Sequence, residues 1–327
     1  MASDSWGRWG ADDELGALNL VGASEVLRAA GTVRRGQVIR LGQDLGPSTM
    51  VPRHRKEPER FMTRDGGDYA AGARRPDGFQ FAEDVVSFAT HTGTHIDALS
   101  HVWCDDLLYN GFPSAGTRST TGARRCGAEK LAPIVTRGVL LDVAALQPRP
   151  LGPGAAISAA DLRAAAEGGT HPEPGDVVLV RTGWLGRCAG DAGAYFAGEP
   201  GIDRGAAEWL VEAGVVAVGA DNYAVEVQPS LPGTTFPVHQ LLLRNHGVPL
   251  IEGLVLDELA AALVPEFLFM AAALPVMGGT AGRYARSRCC NHTAPAVMLT
   301  PGLGGYRFGY LKLHPNTRMA SRLEAVC

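Results

Sequence analysis

The stretch Pro174-Gly-Asp-Val-Val-Leu-Val-Arg-Thr-Gly-Trp184 indicates the fold class of this chain most directly. Its centre is a run of aliphatic residues, mostly β-branched, which is typical of a strand buried on both faces. The Pro-Gly pair before the run and the Gly-Trp pair after it favour turns at both ends. We therefore predict a buried strand over residues 176–181.

Strand and helix signals alternate on both sides of this strand. Further strands are predicted over residues 139–143, 215–219 and 249–254. Helices are predicted from a cap at Ser158 to Gly168, from a cap at Asp203 to Gly214, over residues 239–246, and from Asp257 onward. This alternation predicts a layered α/β fold. The first 135 residues are less regular, and only residues 84–89 predict a strand there.

The composition is that of a globular protein. Of 327 residues, 46% are hydrophobic and 20% charged, with a formal net charge of -4, which favours neither disorder nor nucleic-acid binding. The most apolar stretch, residues 254–277, is interrupted by acidic residues and prolines and does not predict a membrane span. No secretory signal pattern and no CxxC pair are present, so we expect a cytoplasmic protein with free thiols that does not bind membranes.

The charge is unevenly distributed along the chain. Residues 283–327 carry six arginines and one lysine against one glutamate, so the rest of the chain is acidic. We expect one domain over residues 1–282 and an atypical basic tail over residues 283–327. Truncation after Gly282 is then expected to leave the functional site and the activity intact.

Three histidines and an aspartate fall within His91-Thr-Gly-Thr-His95-Ile-Asp97-Ala-Leu-Ser-His101. A single α-helix cannot bring all four to one face, but in an extended segment His91, His95 and Asp97 share a side. Two imidazoles and a carboxylate can hold Zn²⁺ or Mn²⁺ and leave positions open for water. If a helix begins at Asp97, His101 lies above the same site and is free for proton transfer.

Other candidate residues lie in two further places. His239 on a predicted helix and Glu252 on the following strand can meet if the helix packs on that strand, although His246 is an alternative to His239. Asp221, Tyr223 and Glu226 follow a predicted strand, where side chains often line a ligand cleft, but solvated turn acids are the other reading. Close after the histidine motif, three aromatic residues suggest a pocket for a flat molecule: Trp103, Tyr109 and Phe112.

With these residues, the chain resembles the metal-dependent cyclase family that includes kynurenine formamidases and isatin hydrolases. The characteristic element HxGTHxDxxxH is complete at residues 91–101, and supporting matches run from Trp9 to Thr280. The resemblance implies a swivelling β/β/α fold, with His91, His95 and Asp97 as ligands of a first metal ion. It also implies His101 as the acid/base, and His239 and Glu252 as residues that complete the site or hold a second ion. The family further implies a homo-oligomer, a dimer or a tetramer.

The function expected from this reading is hydrolysis of an amide, a cyclic amide or a lactone in a small, aromatic molecule. Water activated by one or two Zn²⁺ or Mn²⁺ ions would attack, and His101 would transfer the proton. Two alternatives stay open. One is a cyclase or dehydratase of polyketide-like natural-product biosynthesis that uses the same metal site, and the other is a metal-binding protein without catalysis.

Overall fold

The computed structural model describes residues 4–283, 288–291, 297–300 and 307–310. Its strands are β1 Gln37–Arg40, β2 Glu59–Arg64, β3 Glu83–Ser87, β4 His95–Asp97, β5 Thr117–Arg118, β6 Gly122–Ala123, β7 Ile134–Asp142, β8 Ala156–Ile157, β9 Val177–Arg181, β10 Gly201–Ile202, β11 Ala217–Ala220, β12 Leu250–Glu252, β13 Glu266–Ala271, β14 Ala281–Arg283, β15 Arg288–Asn291, β16 Val297–Thr300 and β17 Arg307–Tyr310.

The described residues also form several short helices. The α-helices are α1 Ala23–Gly31, α2 Gly66–Ala70, α3 Val143–Leu146, α4 Ala159–Glu167, α5 Trp184–Arg187, α6 Ala192–Ala197, α7 Arg204–Glu212, α8 Pro237–His239 and α9 Asp257–Ala261. A π-helical turn, Gln240–Asn245, continues α8. Single 3-10 turns lie at Gly16–Leu20, Tyr109–Gly111, Ser114–Gly116 and Ala128–Lys130.

Within the described residues, nine strands form the main sheet in the order β1-β15-β13-β7-β9-β11-β12-β4-β14. Strands β7, β9, β11 and β12 run parallel to one another, and the strands outside them pair antiparallel. The strand predicted over residues 176–181 is β9, at the centre, where Val177 to Val180 are completely buried. The predicted α/β class is thus confirmed, with antiparallel strands added at both edges.

Local signals placed two of the helices correctly. Ser158 and Asp203 cap α4 and α7, since each side chain accepts a hydrogen bond from a backbone N–H in the first turn. The caps fix where α4 and α7 begin, and both helices bury apolar residues in the core. Among the described residues, no helix is both long and apolar enough to cross a bilayer.

Of two predictions near the histidine motif, one was confirmed and one was wrong. The strand predicted over residues 84–89 is present as β3, which pairs with β2 in a separate two-stranded ribbon outside the main sheet. No helix begins at Asp97: the chain makes a tight turn instead, in which the His101 N–H donates to the Ala98 carbonyl at 2.9 Å. The short strand β4 leaves the sheet there, since its pairing ends at Ile96 on the β12 side and at Asp97 on the β14 side.

The first part of the basic segment belongs to the main sheet. Arg283 belongs to β14, and the backbone of β15 pairs with β1 and β13. The boundary expected after Gly282 therefore divides a strand. Most of the remaining residues of the expected tail lie outside the described residues.

A buried ion pair lies at the amino end of the parallel strands. The carboxylate of Asp176, which is not exposed, accepts hydrogen bonds from Arg137 Nη2 at 2.7 Å and from Arg28 Nη2 at 2.9 Å. Asp176→Ala leaves the buried Arg137 with one fewer counter-ion, so we expect a loss of about 3–5 kcal/mol in the free energy of unfolding. Urea denaturation measures it.

Glu173→Ala is the matched control for this substitution. Glu173 contacts the same two arginines but its side chain is 56% exposed, so its removal should cost less than about 1 kcal/mol. Equal losses for the two variants would show that burial does not set the strength of this pair.

Candidate metal site

Strand pairing brings the histidine motif against the second group of candidates. β4 lies between β12 and β14, and His95 is the direct antiparallel partner of Glu252. Side chains of directly paired residues project to the same face of a sheet. The Glu252 carboxylate consequently lies 3.2 Å from His95 Nε2.

The loop before β4 is anchored by hydrogen bonds to several elements. Gly93 has a φ of 60°, which favours glycine because a side chain there would be strained. Thr94 Oγ1 donates to the Gly253 carbonyl at 2.6 Å, and Arg283 Nη1 donates to the Thr92 carbonyl at 2.9 Å. Arg283 therefore supports the loop that carries His91, although it belongs to the segment expected to be dispensable.

The metal-ligand candidates converge on Asp97, whose side chain is completely buried. Asp97 Oδ1 lies 2.9 Å from His91 Nδ1 and 3.5 Å from His95 Nε2. His239 Nε2 lies 3.7 Å from Asp97 Oδ2 and 3.4 Å from Glu252 Oε1. The structure thus brings together His91, His95, Asp97, His239 and Glu252, and the histidine of the second group is His239.

Ligand-type atoms form two overlapping groups. His95, Asp97 and Glu252 make a fully buried group, and His91, Asp97 and His101 make a second one that is partly exposed; in each, the ligand atoms lie within 4.8 Å of one another. Asp97 belongs to both groups. The side chains therefore could supply ligands for one ion or for two, and His101 belongs to the second group.

Unsatisfied polar atoms show that these residues suit a cation. In the described part of the chain, His95 Nε2 and both carboxylate oxygens of Asp97 are buried and have no partner with hydrogen-bond geometry. Ligands that bind one ion at about 2.1 Å lie about 3.0–3.4 Å apart at octahedral or tetrahedral angles. The measured separations fall close to this range, so a divalent metal would satisfy atoms that the protein itself leaves unpaired.

His239 is oriented by a residue that the sequence left undecided. Glu226 Oε1 contacts His239 Nδ1 at 2.5 Å, and the same carboxylate accepts from the backbone N–H groups of Val238 and His239. With Nδ1 engaged, the Nε2 atom faces Asp97 and Glu252. Glu226 is therefore not a solvated turn acid, and it positions a metal-ligand candidate in the way that carboxylates support metal-bound histidines.

The histidines differ in the direction in which their surroundings shift the pKa. Burial opposes charge on His95 and on His239, but the carboxylates beside each ring outweigh it and raise the pKa of each to about 10. Burial lowers the pKa of His101 to about 4, against the attraction of Asp97 and with help from the charges of His91 and His239. His101 is consequently a neutral imidazole at neutral pH, the form that accepts a proton.

Two cavities adjoin this cluster and share three residues, Arg55, Tyr223 and Glu252. The first is lined by His91, His95, Tyr195, Phe196 and neighbours. The second, of about 250 Å³, is lined by His101, Trp103, Phe236, His239 and neighbours. Of the aromatic residues predicted to form a pocket, Tyr223 lines both cavities and Trp103 lines the second.

The other predicted pocket residues have different roles. Tyr109 is completely buried and donates to Asp13 Oδ2 at 2.9 Å, and Phe112 packs under the guanidinium of Arg125. The buried Asp221 carboxylate accepts hydrogen bonds from Thr182 and Gly183 and joins two strand ends. None of the three lines either cavity, because local hydrogen bonding or core packing turns each away.

Comparisons with known proteins agree with this architecture. The family model described as "Putative cyclase" matches residues 39–227. A crystal structure of a novel cyclase is 30% identical, covers 88% of this chain and 100% of its own, and has a TM-score of 0.82. A search of curated proteins gave no significant match.

More distant structures share the fold. Isatin hydrolase A from Ralstonia solanacearum is 22% identical, with a TM-score of 0.60 and coverage of 81% of this chain and 94% of its own. A predicted metal-dependent hydrolase from Bacillus stearothermophilus is 20% identical, with a TM-score of 0.51 and coverage of 77% and 97%. These matches confirm the fold that the sequence resemblance implied.

Glu226 contacts His239 but is not itself a candidate ligand. Its replacement is therefore predicted to weaken metal binding while every candidate ligand stays in place. Glu226→Gln removes the charge that holds His239 Nδ1, so we expect Zn²⁺ or Mn²⁺ affinity to fall about 10- to 100-fold. Competition with a chromogenic chelator measures the affinity. Glu208→Gln, which alters an exposed glutamate paired with Arg204, is the control, and equal affinities in the two variants would contradict the role of Glu226.

Proposed function

The chain belongs to the cyclase family, and on that premise we propose that it is a metal-dependent hydrolase. The substrate class we propose is a small aromatic molecule with an amide, cyclic amide or lactone bond. One observation carries the proposal: a buried group of histidines and carboxylates with unpaired ligand atoms adjoins cavities with aromatic walls. The isatin hydrolases have the same fold, which supports cyclic amides as the first compounds to test.

His95, Asp97, Glu252 and His239 would hold the first ion, and His91 would join Asp97 in holding a second. A divalent ion supplies two effects when bound: it lowers the pKa of water to about 7, and it polarises a carbonyl group. The protein contributes the ligands and a largely buried setting, which strengthens these electrostatic effects.

His101 is the residue that we assign to proton transfer. It lines the second cavity, and its ring centroid lies 4.1 Å from that of His91. A neutral imidazole accepts a proton from the attacking water and returns it to the leaving nitrogen or oxygen. Trp103 and Tyr223 would pack against the flat part of the substrate.

The direct test is a substrate panel with defined metal content. Purified protein is treated with a chelator, reloaded with Zn²⁺ or Mn²⁺, and incubated with isatin, N-formylkynurenine and simple aryl lactones. We expect ring opening or deformylation of at least one compound that depends on the added metal. Metal-loaded protein that hydrolyses no acyl compound would contradict the proposal and favour a cyclase, a dehydratase or a binding protein.

His101→Ala separates proton transfer from metal binding. We expect the metal content to stay at the wild-type value while turnover falls about 10²- to 10⁴-fold, which is the usual contribution of general acid/base catalysis. Inductively coupled plasma mass spectrometry and steady-state kinetics measure the two quantities. Full activity would exclude His101 as the acid/base, and loss of an ion would identify it as a ligand instead.

A further inference from the structure

Arg55 lies between the two cavities and lines both of them. It is held in a turn, where its N–H donates to the Pro52 carbonyl at 2.9 Å, and its side chain is partly exposed. Among the described residues that line either cavity, it is the only lysine or arginine. A permanent positive charge is thus present beside the candidate metal group.

Among the described residues, the hydrogen-bond partners of the Arg55 guanidinium are neutral groups. Nη1 donates to the carbonyl of His91, and Nη2 donates to the hydroxyl of Tyr223 at 3.3 Å. Within the part of the chain that the structure describes, it has no carboxylate at ion-pair distance. A guanidinium has five N–H donors in a planar fork, so several donors are left for a ligand. The preferred partner of such a fork is a carboxylate, which can accept two parallel hydrogen bonds.

Aromatic rings line both of the cavities that Arg55 lines. Tyr195, Phe196 and Tyr223 form a chain of edge-to-face contacts with centroids 4.9 and 5.0 Å apart, and the Arg55 guanidinium carbon lies 5.4 Å from the Tyr223 centroid. Trp103 and Phe236 line the other cavity. The first cavity measures only about 20 Å³, so a ring has room in the second, of about 250 Å³. A ligand that fills the second cavity with favourable contacts is flat, and it carries an anionic group where Arg55 is located.

The geometry points to Arg55 as a specificity residue that binds the carboxylate of an aromatic acid. This inference rests on the proposed hydrolase function. In hydrolysis of an aryl amide, the C–N bond breaks, a C–O bond forms, the nitrogen takes a proton, and the acyl group becomes a carboxylate. The carboxylate bound by Arg55 is therefore either one that the substrate already carries or the one that hydrolysis creates.

A binding experiment tests this role without requiring turnover. Isothermal titration of the metal-loaded protein compares benzoate with benzamide, which has nearly the same shape but no charge. We expect Arg55→Gln to weaken benzoate binding about 10- to 100-fold, the usual effect of losing a charge-assisted hydrogen bond, and to leave benzamide binding unchanged. Arg55→Lys keeps the charge but not the fork, so an intermediate loss is expected.

Arg53→Gln is the matched control, since it removes the same charge from an exposed side chain two residues away. Metal content is measured in every variant, so that direct binding of benzoate to the ion is held constant. Unchanged benzoate affinity in Arg55→Gln, or equal loss for benzoate and benzamide, would overturn the assignment. Loss of benzoate binding in Arg53→Gln as well would also overturn it.

Kinetics with a hydrolysed compound separates the two sources of the carboxylate. If the substrate carries it, Arg55→Gln raises KM for acidic substrates and not for neutral ones. If hydrolysis creates it, KM stays the same and product inhibition weakens. An Arg55-dependent preference for benzoate in a protein that hydrolyses nothing would leave this assignment standing while the hydrolase proposal fails.

Discussion

The site is arranged around one constraint: the carboxylate of Asp97 has no exposure to solvent. A buried carboxylate is costly unless cations or hydrogen-bond donors compensate its charge. Burial therefore acts to raise the pKa of Asp97, but the neighbouring imidazoles of His101, His91 and His95 hold it well below its ordinary value. Glu252 adds a second negative charge nearby, and its pKa is kept low by His239 and His95. Two buried carboxylates and several imidazoles together form a setting suited to a divalent cation.

The sheet makes this concentration of charge possible. β4 inserts between β12 and β14, so that residues far apart in the sequence become neighbours through register alone. The parallel strands contribute residues of the site at their carboxyl ends. Glu252 is the last residue of β12, and the loop after β11 leads to Glu226. At the opposite end of the same sheet, the ion pair of Arg137 with Asp176 is structural. Stabilising and candidate functional charges are thus kept at separate ends of the parallel strands.

Local chemistry in the sequence predicted much of this structure. The apolar run of β9 and the caps at Ser158 and Asp203 depend on near neighbours in the chain, and they were read correctly. The extended segment expected from His91 to Asp97 is a strand only in β4, and His91 lies in the turn before it. The turn at Asp97 was missed because sheet pairing on both sides of β4, and not helix propensity, decides where the strand ends. Tyr109 resembles a pocket residue in sequence, but its hydroxyl bonds with Asp13 in the fold.

The positioning and specificity residues could not be found from spacing. Glu226 reaches His239 only because the loop after β11 folds back on α8, and Arg55 reaches Tyr223 across a large sequence separation. Neither residue belongs to a recognisable motif. The measurement that tests the account most directly is anomalous diffraction from metal-loaded crystals at the Zn or Mn absorption edge. We expect a peak about 2.0–2.3 Å from a carboxylate oxygen of Asp97 and within bonding distance of His95. A peak elsewhere, with Asp97 bound only by water or protein donors, would contradict it.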